Sequence, residues 1–161
     1  MLSEERFTYL ARKYMDTVFR VAYSFLKNSA DADDATQNVL LKLYQTDNKT
    51  FESESHIKNW LIRVTANECK SFFRSTWRRV EPIEDYMATL ELPGPEHMDL
   101  FRAVMALPAK YRVIIHLYYF EGYSSDEIAR LLDIPAATVR TRMARARGRL
   151  KQDLTEADEH A

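Results

Sequence analysis

The sequence predicts an all-α protein of two small helical domains joined by an acidic, Pro-containing linker, the C-terminal domain being a helix-turn-helix. Three observations carry this. Apolar residues recur at steps of three and four through most of the chain, the period of a buried helix face. Only three glycines occur in 161 residues, too few for the turns of a β-rich fold. Residues 80–97 gather Pro82, Pro93, Gly94 and Pro95 among acids, and proline cannot donate a helix hydrogen bond.

In chain order, Phe7, Leu10, Ala11, Tyr14, Val18, Val21, Ala22, Phe25 and Leu26 give a first helix, closed by Lys27-Asn28-Ser29. Asp31 is the expected cap of the second, with Asp33 and Asp34 favourably placed at its positive end. That helix runs to about Tyr44 and buries Ala32, Ala35, Val39, Leu40 and Leu43, leaving Asp34, Gln37, Asn38 and Leu41 on other faces. Residues 46–55 are polar and read as a loop. A third helix is expected from about Ser55 to Arg79, with the apolar stripe Ile57, Trp60, Leu61, Val64, Phe72 and Phe73. Arg63, Asn67, Lys70 and Arg74 form a basic stripe on another side. Such stripes are ordinarily solvated faces, and the residues alone leave that reading open beside nucleic-acid contact.

The linker leaves room for one helical turn over Ile83–Leu90. Beyond it, Leu100, Ala103, Val104 and Leu107 give a short helix stopped by Pro108. Tyr111, Ile114, Ile115, Leu117, Tyr118 and Phe120 give another, which Gly122 ends. Ser124, with Glu127 three residues on, is a reciprocal capping box. Ile128, Ala129 and Leu132 face inward, Asp133 falls where the turn asks for a left-handed backbone, and Ile134 plugs the corner. The last helix turns Val139, Met143 and Leu150 inward and presents Arg140, Thr141, Arg142, Ala144, Arg145, Arg147, Arg149 and Lys151. Arginine is the commonest reader of guanine in the major groove, and flanking cations pair with phosphates. A basic surface helix on an unrelated bundle is the bland alternative.

Charge is sorted into blocks. The net charge is −1, yet 80–101 carries six acids and no Lys or Arg, whereas 134–152 carries six cations and no acid. Separate surfaces for separate partners follow. The chain divides into 1–79, a linker over 80–97, a second domain over 98–154, and an acidic tail over 155–161 that is expected to be disordered. Cys69 alone excludes a disulfide within the chain and is expected to be buried. His56, His97, His116 and His160 are scattered, and neither metal-ligand spacing nor a nucleotide-binding glycine motif occurs. No catalytic role, cofactor or metal is expected. The first residues lack the layout of a signal peptide, and no apolar run nears the roughly 20 residues of a membrane span, so a cytoplasmic protein without membrane insertion is expected.

The stretch Asp31-Ala32-Asp33-Asp34-Ala35-Thr36-Gln37-Asn38-Val39, the tract Trp60-Leu61-Ile62-Arg63-Val64-Thr65-Ala66-Asn67 and the stretch Ala136-Ala137-Thr138-Val139-Arg140-Thr141-Arg142 together resemble the extracytoplasmic-function (ECF) sigma factors of bacterial RNA polymerase. The resemblance covers roughly 7–79 and 99–152. It implies that the first domain (region 2) docks through Asp33, Asp34, Gln37, Asn38 and Leu41 on the β′ clamp coiled coil of core polymerase. It implies that Asn59, Arg63, Asn67, Lys70 and Arg74 line the path of a melted −10 strand. The loop Asp47–Ser55, with Lys49, would hold an extruded base, a plan that needs cations for the backbone and a pocket that offsets unstacking. In the second domain (region 4) it implies −35 reading by Arg140, Thr141, Ala144 and Arg145, with Ser124, Ser125, Thr138, Arg142 and Arg149 beside them on the duplex. This domain would also rest on the β flap. An anti-sigma factor is the further partner implied. Two departures stand out: Asp133 and Ala137 occupy positions where many relatives carry Gly, and Ala144 offers only a methyl-sized contact, suited to a thymine methyl.

Two rivals are weighed against this. A two-component or quorum-type regulator also ends in such a helix-turn-helix, but 1–79 shows no alternating pattern for a receiver domain. An anti-sigma or adaptor protein would bind polymerase without DNA, and the basic last helix counts against it.

Overall fold

The apolar periods of the first eighty residues fold as three helices, α1 (Glu4–Leu26), α2 (Ser29–Gln45) and α3 (Glu54–Phe73), with one 3-10 turn at Asn48–Thr50. The computed structural model describes the backbone of residues 1–73 and 95–159, and side chains over 1–73 and 99–156. Arg74, the expected end of the third helix at Arg79 and the turn over Ile83–Leu90 lie outside the described residues. Two units are distinguished, Met1–Val80 and Glu81–Ala161.

In the first unit, Ser3 caps α1 by accepting from the Arg6 amide at 3.1 Å. The helix stops at Lys27, which adopts the left-handed conformation (φ 48°) and donates to the Tyr23 carbonyl. The expected cap of α2 needs correction. Asn28, not Asp31, holds that position, its side chain accepting from the Asp31 amide at 2.9 Å, so the helix begins one turn earlier. Asn satisfies an orphan amide as well as Asp does and here lies one turn closer to the end of α1.

Leu10, Tyr14, Val18, Val39, Leu43, Ile57 and Leu61 close the core, and the Leu2 amide donates to the Tyr44 carbonyl, stitching the N-terminus to α2. Leu40 is only half-buried at its edge. α3 departs from its expected stripe: Phe73 is 46% exposed, whereas Ile62, Thr65, Ala66 and Cys69 are buried. The helix packs against both α1 and α2, so its buried arc is wider than one stripe. The buried hydroxyls of Ser24, Thr36 and Thr65 each donate to a carbonyl three or four residues back, leaving no desolvated donor there.

The second unit comprises α4 (Pro95–Ala106), α5 (Ala109–Ile115), a widened π turn (His116–Phe120), α6 (Ser125–Leu132) and α7 (Ala136–Glu159). Two boundaries differ from those read in the sequence. α4 begins at Pro95, inside the expected linker, because proline is tolerated in a first helical turn. α7 continues through Glu159, so residues 155–159 of the expected disordered tail are helical. No Gly or Pro follows Gly148, and the Gln152 amide donates to the Glu156 carboxylate at 3.3 Å across one turn. An anchored helix propagates at little cost once nucleated.

Arg112 is buried and donates to the Leu107 carbonyl at 2.9 Å, tying the α4–α5 corner. The π turn carries Tyr119 and Phe120 outward, 54% and 56% exposed, so Phe120 is not in the core. Gly122 ends it at φ 77°, a left-handed backbone that glycine adopts freely.

Candidate nucleic-acid interface

The helix-turn-helix is built by local chemistry. The Glu127 amide donates to the Ser124 hydroxyl at 3.2 Å, and the Ser124 amide donates to the Glu127 carboxylate at 3.0 Å. Hydrogen bonds to the carboxylate from the Ser124 backbone amide, then from its side chain, hold the Glu127 carboxyl below its usual range. The Ser124 hydroxyl is thus engaged with Glu127, and Ser125 follows half-buried. Asp133 takes the left-handed turn at φ 55°, and the Ile134 amide closes it on the Ala129 carbonyl at 3.1 Å. The Pro135 carbonyl then accepts from Thr138 and Val139, starting α7.

On α7, Val139, Met143, Ala146 and Leu150 are buried at steps of four, three and four. Arg140, Thr141, Ala144, Arg145 and Arg149 are exposed, and Thr138 and Arg142 are half-buried. Arg140 comes within 3.9 Å of Asp126, but both side chains are largely exposed, at 62% and 73%. Such a pair is worth little in water and leaves the guanidinium available. Lys110, Tyr111, Ala137, Thr138, Thr141, Arg142 and Arg145 line one cleft of about 360 Å³. Sequence reasoning missed the α5 wall of that cleft, since nothing local links Tyr111 to α7.

Arg147 points elsewhere. It donates to the Tyr119 hydroxyl at 2.8 Å and lies 5.4 Å over the Tyr118 ring, so its guanidinium is held on the π turn. His116, buried, stacks on Phe120 and sets its Nε2 3.4 Å from a Glu121 oxygen, so it belongs to the π turn.

In the first unit, Asp33, Asp34, Gln37, Asn38 and Leu41 are all exposed on α2, and Leu41 is 55% so despite its apolar side chain. Asn38 donates to Glu68 on α3 at 3.3 Å, and Lys42 pairs with the same carboxylate. Asp34 and Gln37 are not drawn into the bundle. On α3, Arg63, Asn67 and Lys70 are exposed along one stripe, with Asn59 half-buried at its start.

The preceding loop is pinned. Phe51 meets the Trp60 ring edge-on at 5.4 Å and the His56 ring at 5.7 Å, while the Glu52 amide donates to His56 Nδ1 at 3.1 Å. Lys49 stays exposed in the 3-10 turn, whose first free amide is capped by Asp47. The sequence offered Phe51 and Trp60 as aromatics but no sign that they meet. A second unforeseen cluster joins α1 to α3: Lys13 and the Tyr9 and Tyr14 hydroxyls converge on Glu54. The hydrogen bond from Lys13 lowers the Glu54 pKa, and burial, then the Glu54 charge, raises that of Tyr14.

Among the described residues no His, Cys, Asp or Glu group is placed to hold a metal ion. No described helix is long and apolar enough to cross a membrane.

Family models match each unit separately: Sigma-70 region 2 over residues 10–79 and Sigma-70, region 4 over 97–150. A curated relative, the ECF RNA polymerase sigma factor SigM of Mycobacterium tuberculosis, is 30% identical, covering 89% of this chain and 74% of its own length. The chain belongs to the ECF sigma factor family. Two other relatives agree. The ECF sigma factor SigE of Mycolicibacterium smegmatis is 33% identical over 91% of this chain, which spans only 61% of that protein. The ECF sigma-E factor of Escherichia coli is 29% identical, over 89% of this chain and 84% of its own.

Two solved structures share the fold. The sigma factor RpoE of Bartonella quintana, in complex with the anti-sigma factor NepR, superposes at TM-score 0.72, with 24% identity over 94% of this chain and 98% of that one. CnrH, in complex with the cytosolic domain of CnrY, superposes at 0.66, with 23% identity over 97% and 91%.

Proposed function

We propose that this chain binds bacterial core RNA polymerase and directs it to promoters, initiating transcription by engaging the −10 and −35 elements. The observation that carries the reading is the pairing of two unlike surfaces, each on a unit that a Sigma-70 region model matches. One unit bears an exposed acidic and apolar α2 face beside a basic α3 stripe; the other bears a helix-turn-helix with an arginine-rich outer face.

In this reading residues 1–79 act as region 2, 98–154 as region 4, and 80–97 as the tether. Asp33, Asp34, Gln37, Asn38 and Leu41 dock on the β′ clamp coiled coil. The exposed Leu41 supports this, since an apolar side chain ringed by polar ones suits a helix partner. Arg63, Asn67 and Lys70, with Asn59 and Lys49, follow the melted −10 strand, and Arg74, outside the described residues, is assigned with them from its sequence spacing. Arg140, Thr141, Ala144 and Arg145 read the −35 duplex, while Ser124, Ser125, Thr138, Arg142 and Arg149 hold its backbone. Region 4 also rests on the β flap, and an anti-sigma factor covers the polymerase-binding faces when transcription is off. The protein works in the cytoplasm, as a binding factor without catalysis of its own.

The test is run-off transcription with purified core polymerase on cloned genomic promoters. Transcripts starting at one position only when this chain is added support the reading. Absence of any start dependent on the chain, with free duplex binding instead, favours the regulator.

A further inference from the structure

Glu68 divides its carboxylate between two donors of the neighbouring helix. It follows Asn67 of the basic α3 stripe, yet its own side chain is only 14% exposed and is bonded to α2. One oxygen, Oε1, pairs with the Lys42 ammonium. The other, Oε2, accepts from the Asn38 side-chain amide at 3.3 Å. Asn38 and Lys42 are four residues apart on α2 and share a face, so a single group on α3 reaches both. Both lie at the surface, Asn38 exposed and the Lys42 side chain 50% so. An ion pair this open contributes little to the fold. Its effect on Asn38 is of another kind. A carboxylate has no proton to give, so the end of the Asn38 amide that faces it is the NH2 group, and the carbonyl oxygen is the end left for a partner. Lys42 is the only Lys or Arg in the α2 sequence, and its charge is met by the same carboxylate. The face shared with exposed Asp34, Gln37 and Leu41 therefore offers an acceptor at Asn38 with the neighbouring cation already paired.

We infer that Glu68 is a positioning residue for polymerase binding, fixing the Asn38 amide so that its carbonyl oxygen meets a hydrogen-bond donor of the docked polymerase helix. The inference rests on the sigma-factor reading and adds an α3 residue to a dock otherwise built from α2. A free side-chain amide on a helix surface turns about its last bond and presents either end. Holding one end in advance lowers the ordering cost of association and refuses a partner that offers an acceptor. Lys42 holds the carboxylate in place through Oε1, which leaves Oε2 aimed at Asn38.

The experiment titrates the labelled full chain with purified core polymerase and reads the dissociation constant, well below the melting midpoint of each variant. Glu68→Ala and Asn38→Ala should each weaken core binding by about tenfold, the effect of one hydrogen bond to a charged or oriented group. In the Asn38→Ala background, Glu68→Ala should add less than about twofold, since it acts through that amide. Asn38→Asp alone sets two carboxylates against each other and should weaken binding. Asn38→Asp combined with Glu68→Gln exchanges amide and carboxylate between the helices, again leaving an acceptor oxygen outward on α2, and should restore binding to within about threefold of wild type. A role confined to joining the helices would lower the melt of Glu68→Ala and leave its core affinity in place. That result, additive losses in the double alanine variant, or an exchange variant no tighter than Asn38→Asp would each overturn the inference. If Glu68→Ala failed to fold, the exchange variant, in which the helices remain bridged, would decide alone. A wild-type chain that does not bind core polymerase would instead remove the sigma-factor reading, and this inference with it.

Discussion

At the residue scale, two tyrosines should titrate on opposite sides of the ordinary value. Tyr111 loses its proton early because Arg145, Lys110 and Arg149 outweigh burial, and Tyr14 late because burial and the Glu54 charge oppose ionisation. For Tyr111 the folded pKa lies below the ordinary 10.0, so its contribution to stability is complete above about pH 10 and is lost as pH falls through the folded value. A phenolate absorbance titration of the nine tyrosines should show one early component that disappears in Tyr111→Phe. Base reading is tested at the same scale. Arg140→Ala or Arg145→Ala should cost about 1–3 kcal/mol of promoter binding and relax one or two −35 positions, whereas Arg149→Ala should weaken all sequences alike. A promoter profile for Arg140→Ala identical to that of wild type would remove Arg140 from the readers.

At the scale of elements, α6 is specified almost entirely by neighbours in sequence. The capping box and the left-handed Asp133 were both legible because each depends on residues within one turn. Ser124→Ala should therefore lower the stability of the second unit by about 1 kcal/mol, read from its unfolding midpoint. Asp133→Gly should raise it by up to about 1 kcal/mol, since an L-residue pays for that backbone. The α7 apolar steps were legible for the same reason, and Ala146, which belongs to them, was passed over only for its size.

What was not legible is long-range or depends on competition between near-equal caps. Asn28 outcompetes Asp31 by sitting closer to the end of α1, and no period reveals that. Glu54 finds Lys13, Tyr9 and Tyr14 some forty residues away, and Phe51 finds Trp60 across a loop whose polarity suggested open chain. α7 persists through acids that disfavour a helix C-terminus, because its first turns are anchored in the core. Of the candidate sites, residue types and faces were readable, but the α5 wall beneath Arg145 was not.

At the scale of the whole molecule, polymerase binding by α2 of the first unit and duplex reading by α7 of the second are the proposed division of labour. Asp34 is exposed and in no ion pair among the described residues, so Asp34→Arg should leave the helical melt unchanged and abolish binding to core polymerase. A collapsed melt would give Asp34 a structural role. The central claim is that the chain alone does not suffice for promoter binding and that core polymerase completes it. A free regulator holds its site at about 10⁻⁸ M or better, and one helix-turn-helix per chain offers few of the phosphate contacts on which such affinity depends at physiological salt. Core polymerase would hold both units at the −10 to −35 spacing and make the second contact intramolecular. The most direct measurement is an anisotropy titration of promoter duplex at about 150 mM salt, with and without core enzyme. The expected result is weak or undetectable binding by the chain alone and tight, promoter-specific binding once core is added. Nanomolar, sequence-specific binding by the chain alone, unchanged by polymerase, would contradict it.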